Sequence, residues 1–116
     1  MEARLKTPAR HFTAAGIRIA DCGDIVLAAD EQVTLVTEQG RRHDFTAKNW
    51  GFYATPSINR RLKAEGFKTA LVRNGAGAIF VMVVAEDRRR EFDAYCREQC
   101  QVVLEWLDER PLAPSP

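Results

Sequence analysis

The sequence predicts an α+β fold, in which a curled antiparallel sheet or partly open β-barrel of five to seven strands is accompanied by two helices. Three observations favour this class. Three pairs of short, apolar or alternating segments are separated by turn residues, a pattern typical of hairpins. A Thr-Pro dipeptide between the second and third pair marks the start of one helix. Apolar residues recur at helical spacing near the C-terminus and indicate the other.

The first two hairpins are predicted from alternation and turn chemistry. The first joins GIRIAD, residues 16–21, to IVLAA, residues 25–29, through a turn at CGD. The second joins VTLVT, residues 33–37, to RHDFT, residues 42–46. Gly40 supplies the backbone freedom that the second turn requires.

The third hairpin has the clearest turn. KTALVR, residues 68–73, is followed by NGAG and then by AIFVMVVA, residues 78–85. Asn74 and Gly75 both tolerate positive φ, so the dipeptide is a strong hairpin signal. The second arm is apolar at every position, and we therefore expect a central strand that is covered on both faces.

Between the second and third hairpins the sequence predicts a helix from Pro56 to Glu65. Thr55 can cap it with its hydroxyl group, and proline suits the first helical position because its missing N–H would lack a partner there anyway. Gly66 stands where a left-handed residue ends many helices. Residues 50–54 then form an extended segment that leads into the helix.

The C-terminal third admits two interpretations. A helix can begin at Asp87, run through RRREFDAYCREQ and end near Cys100, followed by a strand over QVVLEWL that joins the sheet. Alternatively, the 3.6-residue period continues to Leu107 and indicates one long helix. We expect the helix followed by the strand.

Length and composition predict one globular domain over residues 1–110 and a disordered, Pro-rich tail over residues 111–116. No apolar run approaches the roughly 18 residues of a membrane span, and the first residues lack the apolar segment of a secretory signal. We therefore expect a cytoplasmic protein with no membrane partner. The odd number of cysteines, three, predicts free thiols in a reducing compartment.

The net charge of +1 conceals a basic middle segment. Residues 41–85 hold eight basic and two acidic side chains, whereas acidic side chains are in excess on either side. This distribution favours an anionic ligand or association between copies of the chain, although folding can also bring the opposite charges together. An uncovered sheet edge would likewise favour a homodimer.

The start of the predicted helix is the strongest candidate site. The first N–H groups of a helix lack intrahelical partners and suit a phosphate or a carboxylate. Arginine adds a bidentate fork, and the preceding aromatic rings can stack on a sugar or a base. The alternative is structural, with rings closing the end of a barrel and hydroxyl groups that only cap. The predicted ligand-binding residues are Trp50, Tyr53, Thr55, Ser57, Asn59, Arg60, Arg61 and Lys63.

No metal site, cofactor or catalytic residue is predicted. Cys96 and Cys100 lie one helical turn apart, but neither histidine forms a paired-ligand motif with them. His43 and Asp44 are neighbours on a predicted strand, where adjacent side chains point to opposite faces.

The string WGFYATPSINRRL, together with ALVRNGAGAIFVMVV and the closing WLDE, resembles a group of small bacterial proteins of unassigned function. The recurring core of that group reads W-G-x-Y-A-T-P-S-x-N-x-R-L. The resemblance covers residues 30–108, implies no reaction, cofactor or partner, and favours the interpretation of the string as a site. The matching residues are Trp50, Gly51, Tyr53, Ala54, Thr55, Pro56, Ser57, Asn59, Arg61 and Leu62.

Three functional hypotheses follow. The first is a non-catalytic binding or accessory domain that recognises an anionic small molecule or partner, bearing phosphate or carboxylate, through the Trp50–Lys63 segment. The second is a small enzyme that acts on a sugar- or nucleotide-like substrate, with Tyr53 or a neighbour moving a proton. The third is a nucleic-acid-binding module that uses the basic middle segment. Binding ranks first because the sequence offers no evident general base.

Overall fold

The computed structural model describes residues 1–112, which form eight strands and two α-helices. The predicted α+β class is therefore confirmed. Two short 3₁₀ turns, Glu86–Arg88 and Leu107–Glu109, complete the regular structure. The strands are β1 (Glu2–Ala14), β2 (Ile17–Val26), β3 (Gln32–Val36), β4 (Arg42–Lys48), β5 (Gly51–Ala54), β6 (Phe67–Arg73), β7 (Ile79–Ala85) and β8 (Val102–Trp106), and the helices are α1 (Arg61–Ala64) and α2 (Arg89–Glu98).

The chain divides into two compact units, which are described separately. The first runs from Met1 to Thr55 and the second begins at Pro56. The predicted disordered tail, residues 111–116, lies outside the described residues from position 113 onward.

The strands form three sheets, with the orders β1-β2, β3-β4-β5 and β7-β6-β8. The prediction of one curled sheet or partly open barrel of five to seven strands is wrong in its details, because residues 1–112 form eight strands that are divided among three small sheets. Each hairpin extends its hydrogen bonds at most to one further strand. Alternation in a sequence identifies strands, but it does not specify which hairpins share hydrogen bonds.

The first predicted hairpin is also wrong, because β2 pairs with β1 rather than folding back on itself. The turn lies at Ala15 and Gly16, whose φ angles of 52° and 72° suit a two-residue hairpin turn. Gly23 lies inside β2, opposite a register shift in β1. A Cβ atom at Gly23 would overlap the carbonyl oxygen of Arg4, so glycine is needed there for close strand approach rather than for a turn.

The second hairpin is confirmed in the first unit. β3 pairs with β4 in antiparallel register, from Gln32 opposite Thr46 to Val36 opposite Arg42. β5 continues the sheet on the other side of β4, so the predicted extended segment is confirmed over residues 51–54, although the helix does not follow it directly.

The third hairpin is confirmed in the second unit. β6 and β7 pair in antiparallel register, and the Asn74 side-chain oxygen accepts the N–H groups of Ala76 and Ala78 in the turn (3.0 and 2.8 Å). The expected central position of the apolar arm is wrong. β6 is the central strand, with Ala70 and Val72 fully buried, and β7 lies at the edge. An apolar run in the sequence looks the same in a central strand and in an edge strand. It indicates which faces of the strand are apolar, but not which strands lie beside it.

The helix predicted from Pro56 to Glu65 forms only over α1, Arg61–Ala64. Ser57 accounts for the late start, because its hydroxyl oxygen accepts the N–H of Arg61 (2.9 Å) and its carbonyl accepts the N–H of Leu62 (2.9 Å). Serine often competes in this way with regular helical hydrogen bonds. Leu62, the one buried side chain of α1, anchors the turn.

The C-terminal segment is a helix followed by a strand, as expected. α2 ends before Cys100, whose φ of 53° is left-handed, and β8 then pairs with β6. The interpretation as a single long helix is excluded. Since β7 and β8 are both antiparallel to β6, they are parallel to each other, and α2 supplies the crossover between them.

A buried ion pair holds the end of β8 against the central strand. Lys68 donates to Asp108 (2.8 Å), and the second carboxylate oxygen of Asp108 accepts the N–H of Thr69 (2.9 Å). The two charged side chains are 13% and 1% exposed. The Lys68 ammonium group also lies 5.1 Å from the Trp106 ring centroid, on which the Arg89 guanidinium of α2 packs at 4.3 Å.

Both members of the pair have shifted pKa values. The hydrogen bond to Asp108 raises the pKa of Lys68 although burial opposes it. Burial alone would raise the pKa of Asp108, but the hydrogen bonds from Lys68 and from the Thr69 N–H outweigh burial and lower it. Both shifts show that the charged forms are stabilised in the folded state.

We predict that Asp108→Ala lowers the free energy of unfolding by about 2 to 3 kcal/mol, because it leaves the Thr69 N–H unsatisfied and leaves Lys68 only the more distant Glu109 carboxylate (3.4 Å) as a partner. Urea denaturation can be followed by Trp106 fluorescence in a Trp50→Phe background. Glu91→Ala, which breaks the exposed Arg88–Glu91 pair, is the matched control and should change stability little.

The pH dependence of this effect follows from the two pKa shifts. Because the pKa of Asp108 is lowered, its contribution is complete above the unfolded value of about 3.9 and is lost as the pH falls through the folded value. Because the pKa of Lys68 is raised, its contribution is complete below about 10.4 and is lost as the pH rises further. A stability difference between wild type and Asp108→Ala that stayed constant down to strongly acidic pH would contradict this account.

Candidate functional site

An exposed pair of aromatic rings, Trp50 and Tyr53, marks the edge of the sheet in the first unit. The ring centroids lie 6.4 Å apart with an interplanar angle of 24°, so the rings are stacked. Trp50 is 69% exposed and Tyr53 is 42% exposed. The stacked rings form a contiguous apolar patch, and large patches of this type mark interaction sites. We call Trp50 and Tyr53 the aromatic pair.

The register of the sheet determines which side chains accompany the aromatic pair. Tyr53 lies opposite Thr46, and Lys48 follows two residues later on the same face of β4. Lys48 donates to Asp30 (2.6 Å), and this hydrogen bond is the main reason that the pKa of Lys48 is raised. Phe52, opposite Ala47, is exposed on the other face of β5. The aromatic pair therefore has a fixed cation nearby, whereas Phe52 does not share its face.

A row of hydrogen-bonded hydroxyl groups supports the same face. The Thr46 and Thr55 hydroxyl groups are 2.7 Å apart, and Thr46 donates to the side-chain oxygen of Gln32 (3.2 Å). The Thr55 N–H donates to the carbonyl of Asp44 (2.9 Å). Thr55 therefore follows the last residue of β5 and bonds to β4, and it does not cap a helix. The row of Gln32, Thr46 and Thr55 links β3 and β4 to the end of β5, and it therefore holds in place the strand that carries Tyr53.

The remaining predicted residues lie in the second unit, around α1. The Ser57 hydroxyl accepts the Arg61 N–H, and Arg61 pairs with Glu65 (3.1 Å). Arg60 and Lys63 are exposed and have no ion-pair partner within residues 1–112. A four-residue helix has a small dipole, so the helix start on which the predicted anion site depended is absent. The cationic side chains remain, as does the exposed Asn59.

The structure thus brings some of the predicted residues into contact. The rings of Trp50 and Tyr53 stack, whereas the hydroxyl groups of Thr55 and Ser57 are occupied by Thr46 and by the backbone of α1. Sequence reasoning omitted Lys48 from the site. Its position just before the Asn-Trp turn, two residues from Trp50, was the available signal.

Sequence reasoning also missed a groove in the second unit, between β7 and α2. Its volume is about 510 Å³, and its walls include Met82 and Val84 from the strand and Phe92 and Tyr95 from the helix. The Arg88–Glu91 ion pair (2.8 Å) lies at its border. The i, i+3 spacing of the two aromatic residues on α2 was the only local signal for this surface.

The titratable side chains do not form a metal site. No cluster of three or more histidine, cysteine, aspartate or glutamate residues occurs within residues 1–112. All three cysteines are free, and burial raises the pKa of the Cys96 thiol, which makes it a poor nucleophile. The His43 ring contacts Phe45 edge-on at a centroid distance of 5.0 Å, which is a packing contact.

No protein-family model matches this chain, and no curated protein or solved structure is significantly similar to it. Neither α-helix in the described part of the chain is long and apolar enough to cross a membrane.

We predict that the two tryptophans differ strongly in solvent access. Trp50 should be quenched by acrylamide with a Stern–Volmer constant several-fold larger than that of Trp106, which packs between Lys68, Arg89 and Phe92. The variants Trp106→Phe and Trp50→Phe each leave one tryptophan and allow the two constants to be measured separately. Equal constants would show that the aromatic pair is covered in solution.

Proposed function

We propose that this chain is a non-catalytic binding module that recognises an anionic, ring-bearing molecule through the Trp50–Lys63 segment. The exposure of the stacked aromatic pair is the observation that carries the proposal. Two large rings left in contact with water cost free energy that burial against a ligand would recover.

The aromatic pair supports the ring-bearing part of the proposed ligand. A planar or sugar ring can stack on the free face of Trp50, and stacking on an aromatic side chain tolerates many ring types. Tyr53 and the hydroxyl row restrict the motion of the pair, so little conformational entropy would be lost on binding. Lys48, near Tyr53, adds a positive charge that is held in place by its hydrogen bond to Asp30, and this hydrogen bond also raises the pKa of Lys48.

Arg60 and Lys63, in the second unit, are the cationic side chains proposed to bind a phosphate or a carboxylate. Arginine offers two parallel N–H donors that match a phosphate or a carboxylate, and lysine adds a mobile positive charge. Neither side chain is engaged in an ion pair within residues 1–112, so neither must leave a protein carboxylate before it binds an anion. Arg61 differs, since it already pairs with Glu65.

Binding fits these groups better than catalysis does. A general base is normally recognised by a shifted pKa in a concave site. Here the pKa values of Lys48, Lys68 and Asp108 are shifted by hydrogen-bonded ion pairs with neighbouring side chains, and none of these three side chains lines the groove between β7 and α2.

A single-stranded nucleic acid is the second candidate ligand, because exposed aromatic side chains on a sheet can stack successive bases. The two candidates differ in their dependence on salt. Binding of an oligonucleotide releases several counterions and weakens steeply with added salt, whereas a ligand with one phosphate contacts few cations and shows a shallow dependence.

We predict that adenosine monophosphate, as a probe with one ring and one phosphate, quenches Trp50 fluorescence in a saturable titration. Trp50→Ala, followed by calorimetry, should weaken binding about tenfold, which matches the loss of one stacking contact. Phe52→Ala is the matched control, because Phe52 is an exposed aromatic residue on the opposite face of the strand that carries Tyr53. Equal losses in the two variants, or no saturable quenching, would refute the proposed site.

We further predict that Arg60→Ala and Lys63→Ala each weaken the binding of inorganic phosphate, measured by calorimetry, about tenfold. Arg90→Ala is the control, since it removes the same charge from an exposed position on α2. If Arg90→Ala weakens binding equally, the effect of replacing Arg60 or Lys63 comes from the net charge of the protein and not from direct contact with the anion. A short single-stranded oligonucleotide that binds more tightly, with a steep salt dependence, would favour the nucleic-acid alternative instead.

A further inference from the structure

We propose that the chain forms a two-fold symmetric homodimer through the second unit, in which the outer edge of β7 pairs with β7 of a second copy. In this dimer Phe80 of each copy enters the groove between β7 and α2 of the other. The inference concerns a different surface from the aromatic pair and does not depend on the proposed ligand.

The edge of β7 lacks the features that normally prevent strand pairing. β7 pairs with β6 without a register shift over all seven residues, and no strand within residues 1–112 covers its outer side. Alternate N–H and C=O groups therefore point outward. Natural sheets usually protect such an edge with charged residues, prolines or bulges, and Ile79–Ala85 contains none of these. The opposite edge strand, β8, is shorter, carries Glu105 and has a register shift.

Apolar side chains are exposed on both faces of this edge. Ile79 is 57% exposed, Phe80 46% and Val81 64%. Adjacent strand residues point to opposite faces, so Phe80 lies on one face and its two neighbours lie on the other. A further strand beside β7 would cover both faces together, which a ligand bound on a single face would not do.

The register of the proposed pairing follows from symmetry. Met82 is the middle residue of β7, and a two-fold axis at Met82 pairs all seven residues of each copy. The partner's Phe80 then lies opposite Val84, on the same face of the sheet. Directly opposite side chains in an antiparallel pair have Cβ atoms roughly 4.5 to 5.5 Å apart.

The groove lies where this register places the partner's Phe80. Met82 and Val84 form its strand wall, and Phe92 and Tyr95 form its helix wall. Its volume of about 510 Å³ accommodates an aromatic side chain, and its mostly apolar lining suits one. The contact is self-complementary, because each copy supplies one Phe80 and one groove.

Size and charge are both compatible with a second copy. The exposed parts of Ile79, Phe80 and Val81 amount to roughly 300 Å² of accessible surface per copy. Together with the groove walls and the strand backbone, the surface area buried by the two copies is on the order of 1,000 Å², which is near the lower limit for a specific interface. The net charge of +1 leaves little repulsion between copies. We therefore expect a dimer that dissociates in the micromolar range.

The first test is sedimentation equilibrium of the full chain across micromolar concentrations. The wild type should show a reversible monomer–dimer equilibrium, and Val81→Lys should stay monomeric with an unchanged circular dichroism spectrum. Val102→Lys is the matched control, because Val102 is a similarly exposed valine on the opposite edge strand, β8. A monomeric wild type, a larger open assembly, or dissociation by Val102→Lys rather than Val81→Lys would overturn the proposal.

A cysteine cross-link tests the register independently of any unfolding by lysine. In a Cys22→Ser, Cys100→Ser background, Met82→Cys should form an intermolecular disulfide on mild oxidation, because residues on the axis lie within disulfide distance of their own copies. Ile79→Cys should not cross-link, since in this register the two copies of residue 79 lie about six residues apart along the strands. Efficient cross-linking of Ile79→Cys, or none of Met82→Cys, would overturn the pairing centred on Met82.

Discussion

The buried pair of Lys68 and Asp108 is the interaction on which the second unit depends. Two charges with little access to water are stabilised chiefly by each other, so the pair fixes where the chain after β8 meets β6. The Trp106 ring lies beside this pair, and Arg89 of α2 packs on the ring. One electrostatic contact thereby positions the central strand, the last strand and the helix that crosses between them.

The exposed surfaces of the second unit follow from that arrangement. Because α2 must return the chain from β7 to β8 on the far side of β6, the helix packs across one face of the sheet and leaves the outer edge of β7 uncovered. The groove forms where Phe92 and Tyr95 diverge from that same strand. The edge and the groove are thus two consequences of one crossover, and a partner that pairs with the edge meets the groove as well.

Local signals in the sequence predicted more of the fold than of its surfaces. Gly40 and Asn74-Gly75 were sufficient to predict the turns of two hairpins, because the geometry of a turn is set by the turn residues themselves. Gly23 led to a wrongly placed turn in the first hairpin, because glycine is needed both in turns and where two strands approach closely. Trp50 and Tyr53 could be identified as candidates from one short string, whereas the groove joins residues about ten positions apart and depends on α2 packing beside β7.

The two surfaces proposed as interaction sites differ in the polar groups that surround their apolar side chains. Lys48 and the threonine hydroxyl groups lie beside the aromatic pair, and they already have hydrogen-bond partners within the protein. A ligand can therefore cover the rings without leaving a buried donor unsatisfied. The edge of β7 has unpaired backbone groups between apolar side chains, and covering it is favourable only if those groups gain hydrogen-bond partners. Another strand supplies such partners at the required spacing, as the proposed copy of β7 would, whereas the proposed ligand of the aromatic pair would not need to supply them.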